Sequence, residues 1–143
     1  MKFKFIQSNE KEEVNVYAKS RSDLINEIEI MCENDSIKLI GYKDNIFKDL
    51  SPNKIECFYT LKDKVYAIYD NESYLIKKRL YEIYDLYNDY FVYINQGCLA
   101  SLKHVDRFDL SFSGTILVIF KSGYKDYVSR RMMKKIKERI GLK

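Results

Sequence analysis

The spacing of apolar residues changes several times along the chain, and each change predicts an element. Residues 2–7 (KFKFIQ) alternate polar and apolar positions, the period of a half-buried strand. Residues 14–18 resume the alternation after the acidic stretch at 10–13, which predicts a hairpin with the first strand. The period then lengthens. Leu24, Ile25, Ile28, Met31 and Cys32 fall on one face of a helix that starts at a Ser22 or Asp23 cap and runs to about residue 33. That apolar face needs a partner, either the small N-terminal sheet or a second copy of the protein.

A β-rich middle follows. Residues 38–42, 46–50, 55–60 and 65–69 read as short strands. Turn chemistry separates them at Lys43-Asp44-Asn45, Ser51-Pro52-Asn53 and Leu61-Lys62-Asp63-Lys64. Asp70-Asn71-Glu72 turns the chain into a strand at 73–77. Helical spacing returns over 79–87, with Leu80, Ile83, Tyr84 and Tyr87 on one side. Short apolar runs at 91–94 and 98–102 flank Asn95-Gln96-Gly97. Residues 105–112 and 115–120 predict a hairpin around Ser113-Gly114, and Ser122-Gly123 leads into a last strand at 124–128. Ser129 is placed to cap a final helix over 130–140, which Gly141 ends. The pattern is that of a mainly β, α+β protein. The best boundary lies near residues 34–38, giving an N-terminal strand–helix extension (1–37) and a β-rich domain (38–143).

Composition narrows the class. With 143 residues the chain can bury a core without metal or disulfide staples. Aromatics at 15% argue against disorder. No apolar run reaches the roughly 18 residues of a membrane-spanning helix, and the N-terminus turns polar too early for a signal peptide. Cys32, Cys57 and Cys98 show no CxxC spacing, so they read as inert core thiols in a protein of the reducing cytoplasm. The sole histidine, His104, cannot anchor a histidine metal site alone; it reads as a hydrogen-bonded surface or half-buried side chain, with phosphate contact beside Lys103 as the alternative. The five glycines are scattered singly, so no phosphate-cradling loop is present. Nothing pairs a nucleophile with a base. The sequence therefore implies no enzyme, no cofactor and no metal.

Charge is uneven. The net charge is +4, but from Lys121 to the C-terminus nine basic residues face two acids, so the rest of the chain is slightly acidic. A basic terminus on an acidic body is an electrostatic footprint for a polyanion; a solvated helix face is the alternative.

The C-terminal end carries a resemblance. It reads Val105-Asp106-Arg107-Phe108, Ser113-Gly114-Thr115, Ser122-Gly123-Tyr124, then Tyr127-Val128-Ser129-Arg130-Arg131-Met132-Met133-Lys134-Lys135-Ile136. With the entry to the short helix at Tyr74-Leu75-Ile76-Lys77-Lys78-Arg79-Leu80-Tyr81-Glu82, it closely resembles the LytTR family of bacterial DNA-binding domains over residues 38–143. The whole chain is similar to the small stand-alone members, which carry a short extension in place of a receiver domain. One segment departs from the family pattern. Tyr93 stands where the family has Arg, Asn95 where it has His, Gly97 where it has Ser, and Ser101 where it has Asn.

The resemblance implies a compact multi-sheet β domain that presents loops, rather than a recognition helix, to successive DNA grooves. It implies contacts from Lys62 and Lys64 on one hairpin tip, from Asn95 and Gln96 on a second turn, and from Arg130, Arg131 and Lys134 at the last helix. Amide side chains can pair with adenine edges, and Arg offers a planar fork to guanine or phosphate. The expected function is a cytoplasmic regulator that binds duplex promoter DNA, as a homodimer on two half-sites. Two other readings stay open. One is a protein-interaction module whose DNA reading has decayed around Tyr93 to Ser101. The other is a binder of RNA or single strands that stacks bases on the run Tyr81, Tyr84, Tyr87, Tyr90 and Tyr93.

Overall fold

The structure is a computed structural model that describes residues 3–7, 13–34, 39–110 and 114–141. The chain divides into two compact units, Met1–Ile37 and Lys38–Lys143.

In the first unit the helix is present as α1 (Asp23–Asn34). Ser22 is the cap: its Oγ accepts the Ile25 N–H at 3.4 Å. Arg21 holds the first turns by donating to Asn26 Oδ1 at 3.0 Å and by pairing with Glu29. The expected hairpin is not formed among the described residues. Residues 3–7 and 13–18 have no strand structure, and Phe3, Phe5, Ile6, Val14, Val16 and Tyr17 are exposed. Alternation marks a face, but an isolated two-stranded ribbon has too little burial to hold it. Cys32 is also exposed, which corrects its reading as a core thiol.

Among its described residues the second unit holds ten strands and two α-helices. They are β1 (Leu39–Lys43), β2 (Ile46–Leu50), β3 (Ile55–Leu61), β4 (Lys64–Tyr69), β5 (Glu72–Ile76), α2 (Leu80–Tyr87), β6 (Val92–Asn95), β7 (Cys98–Ala100), β8 (Val105–Asp109), β9 (Ile116–Phe120), β10 (Lys125–Val128) and α3 (Arg130–Arg139). Single 3-10 turns at Pro52–Lys54 and Leu102–His104 enter β3 and β8. A seven-stranded antiparallel sheet runs β2-β1-β5-β4-β3-β7-β6, and a three-stranded one runs β10-β9-β8. The strand at 105–112 was expected to run longer; its last residues, 111–112, and Ser113 lie outside the described residues.

The central strands are buried on both faces, so they read as continuous apolar runs rather than alternating ones. One face carries Phe58, Val65, Ala67, Tyr69 and Leu99, covered by Ile83 and Tyr87 of α2 and continued by Leu39, Leu50, Tyr74 and Ile76. The other carries Cys57, Ile68, Val92, Ile94, Cys98 and Ala100, packed with Ile116, Val118 and Phe120 of β9, Val128 of β10 and Ile136 of α3. A register shift between Ile55 and Cys57 lets Ile55 and Phe58 share the first face. At that shift the buried Glu56 ties the sheets together, since its Oε1 accepts the Ser122 N–H at 2.9 Å. His104 is half-buried, with Nε2 2.8 Å from the Asn53 carbonyl, and Lys103 reaches the Asn53 side chain.

Candidate nucleic-acid interface

Three chain segments meet at one end of the second unit, and backbone hydrogen bonds hold them there. The first is the β3–β4 tip. Leu61 pairs with Lys64, and Lys62 and Asp63 form the two-residue turn with φ of +50° and +64°. Both residues sit in the left-handed region of a hairpin turn that usually employs Asn or Gly, so the tip keeps charged side chains at some backbone strain. Lys62, Asp63 and Lys64 are all exposed.

The second segment is the β6–β7 turn. Asn95 pairs with Cys98, which puts Gln96 and Gly97 at the tip. The Thr60 N–H donates to the Gly97 carbonyl at 3.0 Å, so this turn lies against the end of β3, next to the first tip. Gln96 is exposed.

The third segment is the start of α3. The Ser129 N–H donates to the Ile94 carbonyl at 2.8 Å, fixing the helix entry on β6. Ser129 occupies the cap position, yet its hydroxyl makes no capping hydrogen bond; its backbone anchor is what places it. The first turn of α3 holds no acid, and Arg130 and Arg131 lie there instead. Cations at a helix N-terminus oppose the helix dipole, a local cost that an incoming anion would offset. Arg130, Arg131, Lys134 and Lys135 are exposed, while Met132, Met133 and Ile136 turn inward onto the second core face.

Of the expected contact residues, then, Lys62, Lys64, Gln96, Arg130, Arg131 and Lys134 present free surface at neighbouring tips. Asn95 does not, and its expected role at a base edge is corrected. It is 5% exposed. Its Nδ2 donates to Asp126 Oδ1 and to the Tyr127 carbonyl, both at 2.8 Å, and its Oδ1 accepts the Gly97 N–H at 2.8 Å. Both amide donors are therefore used inside the protein.

Sequence reasoning missed Asp126, Tyr124 and Tyr59. Asp126 accepts from Asn95 and, through Oδ2, from the Tyr124 hydroxyl at 3.0 Å. Tyr124 stacks on Tyr59 with ring centroids 4.9 Å apart, and Tyr59 stacks on Tyr66 at 5.5 Å. Burial, and secondarily the Asp126 charge, pushes the Tyr124 hydroxyl well above its ordinary range. A hydrogen bond to Cys57 together with burial pushes the Cys98 thiol well above its own. Only the polar–aromatic spacing Tyr124-Lys125-Asp126-Tyr127 hinted at this cluster, since an acid inside a basic tail is unexpected.

The tyrosine run does not form an open stacking platform. Tyr87 is buried, Tyr84 packs on Tyr93 at 5.1 Å, and Tyr90 packs beside Phe91 at 6.3 Å. Among the described residues no group of three His, Cys, Asp or Glu side chains could hold a metal, and no helix is long and apolar enough to cross a membrane.

A rigid β scaffold that gathers polar hairpin tips and a basic helix start at one end is the build of a nucleic-acid-binding domain. The chain belongs to the LytTr DNA-binding domain family, which residues 46–141 match. It is 29% identical over 142 residues to an uncharacterized HTH-type transcriptional regulator of Staphylococcus aureus strain MRSA252, covering 96% of each chain. The counterpart from the bovine strain RF122 is likewise 29% identical with the same coverage. The fold matches a solved structure from Bacillus cereus, described as the LytTr DNA-binding domain of a methyl-accepting/DNA response regulator. That match has a TM-score of 0.66 at 16% identity and covers 75% of this chain and all of the other. No helix-turn-helix is present among the described residues: five strands separate α1 from α2, and five more separate α2 from α3.

Proposed function

We propose that this protein is a cytoplasmic transcriptional regulator that binds specific duplex DNA through the gathered tips. The observation that carries the reading is the convergence of Lys62 and Lys64, Gln96, and Arg130 with Arg131 on three neighbouring segments, two of them tied by the Thr60–Gly97 hydrogen bond. The family membership supports it. Lys62, Lys64, Arg130 and Lys134 neutralise phosphates and set the register on the duplex. Gln96 and Arg131 read base edges, Gln96 as an amide and Arg131 as a fork. A strand-end turn is narrow enough for a major groove roughly 12 Å wide. Two such domains on one operator need half-sites spaced by whole helical turns, so the functional form is a homodimer, with the apolar face of α1 as the candidate contact.

The test is fluorescence anisotropy on duplex DNA from the gene's own upstream region across a salt series, with a scrambled duplex as control. Binding should weaken with salt by about 0.9 log units per log unit for each phosphate neutralised, and should favour the upstream duplex. Arg131→Ala should remove that preference. A salt slope with no preference would reduce the protein to a basic tail meeting phosphate. No binding at low salt would turn the reading toward a protein-interaction module.

A further inference from the structure

The polar cluster beneath the tips closes a circuit. Starting at β3, the Thr60 N–H bonds the Gly97 carbonyl of the β6–β7 turn. Inside that turn the Gly97 N–H bonds Asn95 Oδ1, and Asn95 Nδ2 reaches across to Asp126 and the Tyr127 carbonyl on β10. Asp126 Oδ1 also accepts the Tyr127 N–H at 2.9 Å, and its Oδ2 accepts the Tyr124 hydroxyl. Tyr124 then stacks on Tyr59, the residue before Thr60. Two residues beyond Tyr127, the Ser129 N–H bonds the Ile94 carbonyl. β10 thus lies one hydrogen bond from the Asn95 amide and the end of β3 two, while the entry to α3 is bonded to Ile94, the residue before Asn95.

We propose that Asn95, acting with Asp126, is a positioning residue that sets the Gln96 turn against the start of α3 and thereby sets sequence preference without touching DNA. The proposal rests on the DNA-binding reading above. Its physical basis is a satisfied, half-buried polar network, which holds one geometry because any other leaves a donor or carbonyl unpaired. Asn suits the position because its short amide supplies one acceptor for the turn and two donors for β10, groups that Gln would carry one methylene further out. Asp126 gives the network its charge: an amide donating to a carboxylate is stronger than one donating to a neutral group.

The experiment pairs two readouts on Asn95→Ala, Asp126→Ala and the double variant. The first is amide hydrogen exchange of the free protein; the second is anisotropy on the upstream and scrambled duplexes. Exchange should rise at Gly97, Tyr127 and Ser129 and stay unchanged at Phe58. The upstream-to-scrambled preference should fall about tenfold, the loss set by one misaligned base contact, with the salt slope unchanged. The double variant should lose no more than the worse single one, because both belong to one network. If Asn95→Ala unfolds the domain, Asp126→Asn keeps the shape and should show the same exchange pattern in smaller degree. Loss of preference with unchanged exchange, or additive losses, would mean Asn95 meets the base itself and would overturn the proposal alone. Raised exchange with intact preference would also overturn it. A wild-type protein with no preference, whatever the exchange result, would remove the DNA-binding reading and this proposal together.

Discussion

The two faces of the central strands β3, β4 and β7 serve different ends. The face under α2 is hydrocarbon and aromatic throughout, with Phe58 set edge-on to Phe91 at 4.9 Å and 73°. The face under β9 and α3 mixes Ile and Val with two thiols and an alanine, and at its margin lies the Asn95–Asp126–Tyr124 network. The first face holds the scaffold together. The second ties the scaffold to the segments proposed to meet DNA. A large substitution on the first should therefore cost stability and leave aim intact, whereas a smaller one on the second should cost aim.

Phe58→Ala should have the largest effect. Removing a fully buried ring should destabilise the domain by about 3–5 kcal/mol, read in denaturant melts. The protein that remains folded should keep its preference for the upstream duplex. Ile136→Ala probes the other face. It should cost about 2–5 kcal/mol and also lower the preference, since Ile136 seats α3 on the second face. If both variants lose preference in proportion to stability, the two faces are not distinct. Arg131→Ala should move binding alone, by about 1–3 kcal/mol, with the melting curve unchanged.

Alkaline pH gives the smallest and most local effect. Tyr124 and Cys98 both have folded-state pKa values above their ordinary values of 10.0 and 9.0. A raised folded pKa means the folded state holds its proton more tightly. The stability this supplies is complete below the ordinary value and is lost as pH rises past it. Melting temperature should therefore fall from about pH 9 upward, and Tyr124→Phe should flatten that fall while loosening the Asp126 contact.

Much of the fold was legible because its elements advertise themselves locally. The type of every strand from β1 to β10 and of all three helices followed from period and turn residues, with ends shifted by a residue or two, apart from β8, expected to run to 112. Hairpin turns such as Asp70-Asn71, with φ of +50° and +62°, carry residues that tolerate that conformation. The N-terminal alternation misled because period 2 reports a face, not a partner to hydrogen-bond. The site was harder to read. Charge and exposure marked Arg130, Arg131 and Lys134, which need no tertiary information. Asn95 looked like a reader because its side chain is versatile, and only the approach of β10 shows that Asp126 and Tyr127 take both its donors. Contacts between residues about thirty positions apart have no local signature.

Three separate segments are proposed to form one DNA-facing surface. The direct test is to titrate the labelled protein with the upstream duplex and follow backbone amide signals by NMR. The signals that shift should cluster together at residues 62–64, 96–97 and 129–135, with α2 and its core face silent. Shifts confined to α3, or centred on α1 with the tips unmoved, would contradict it.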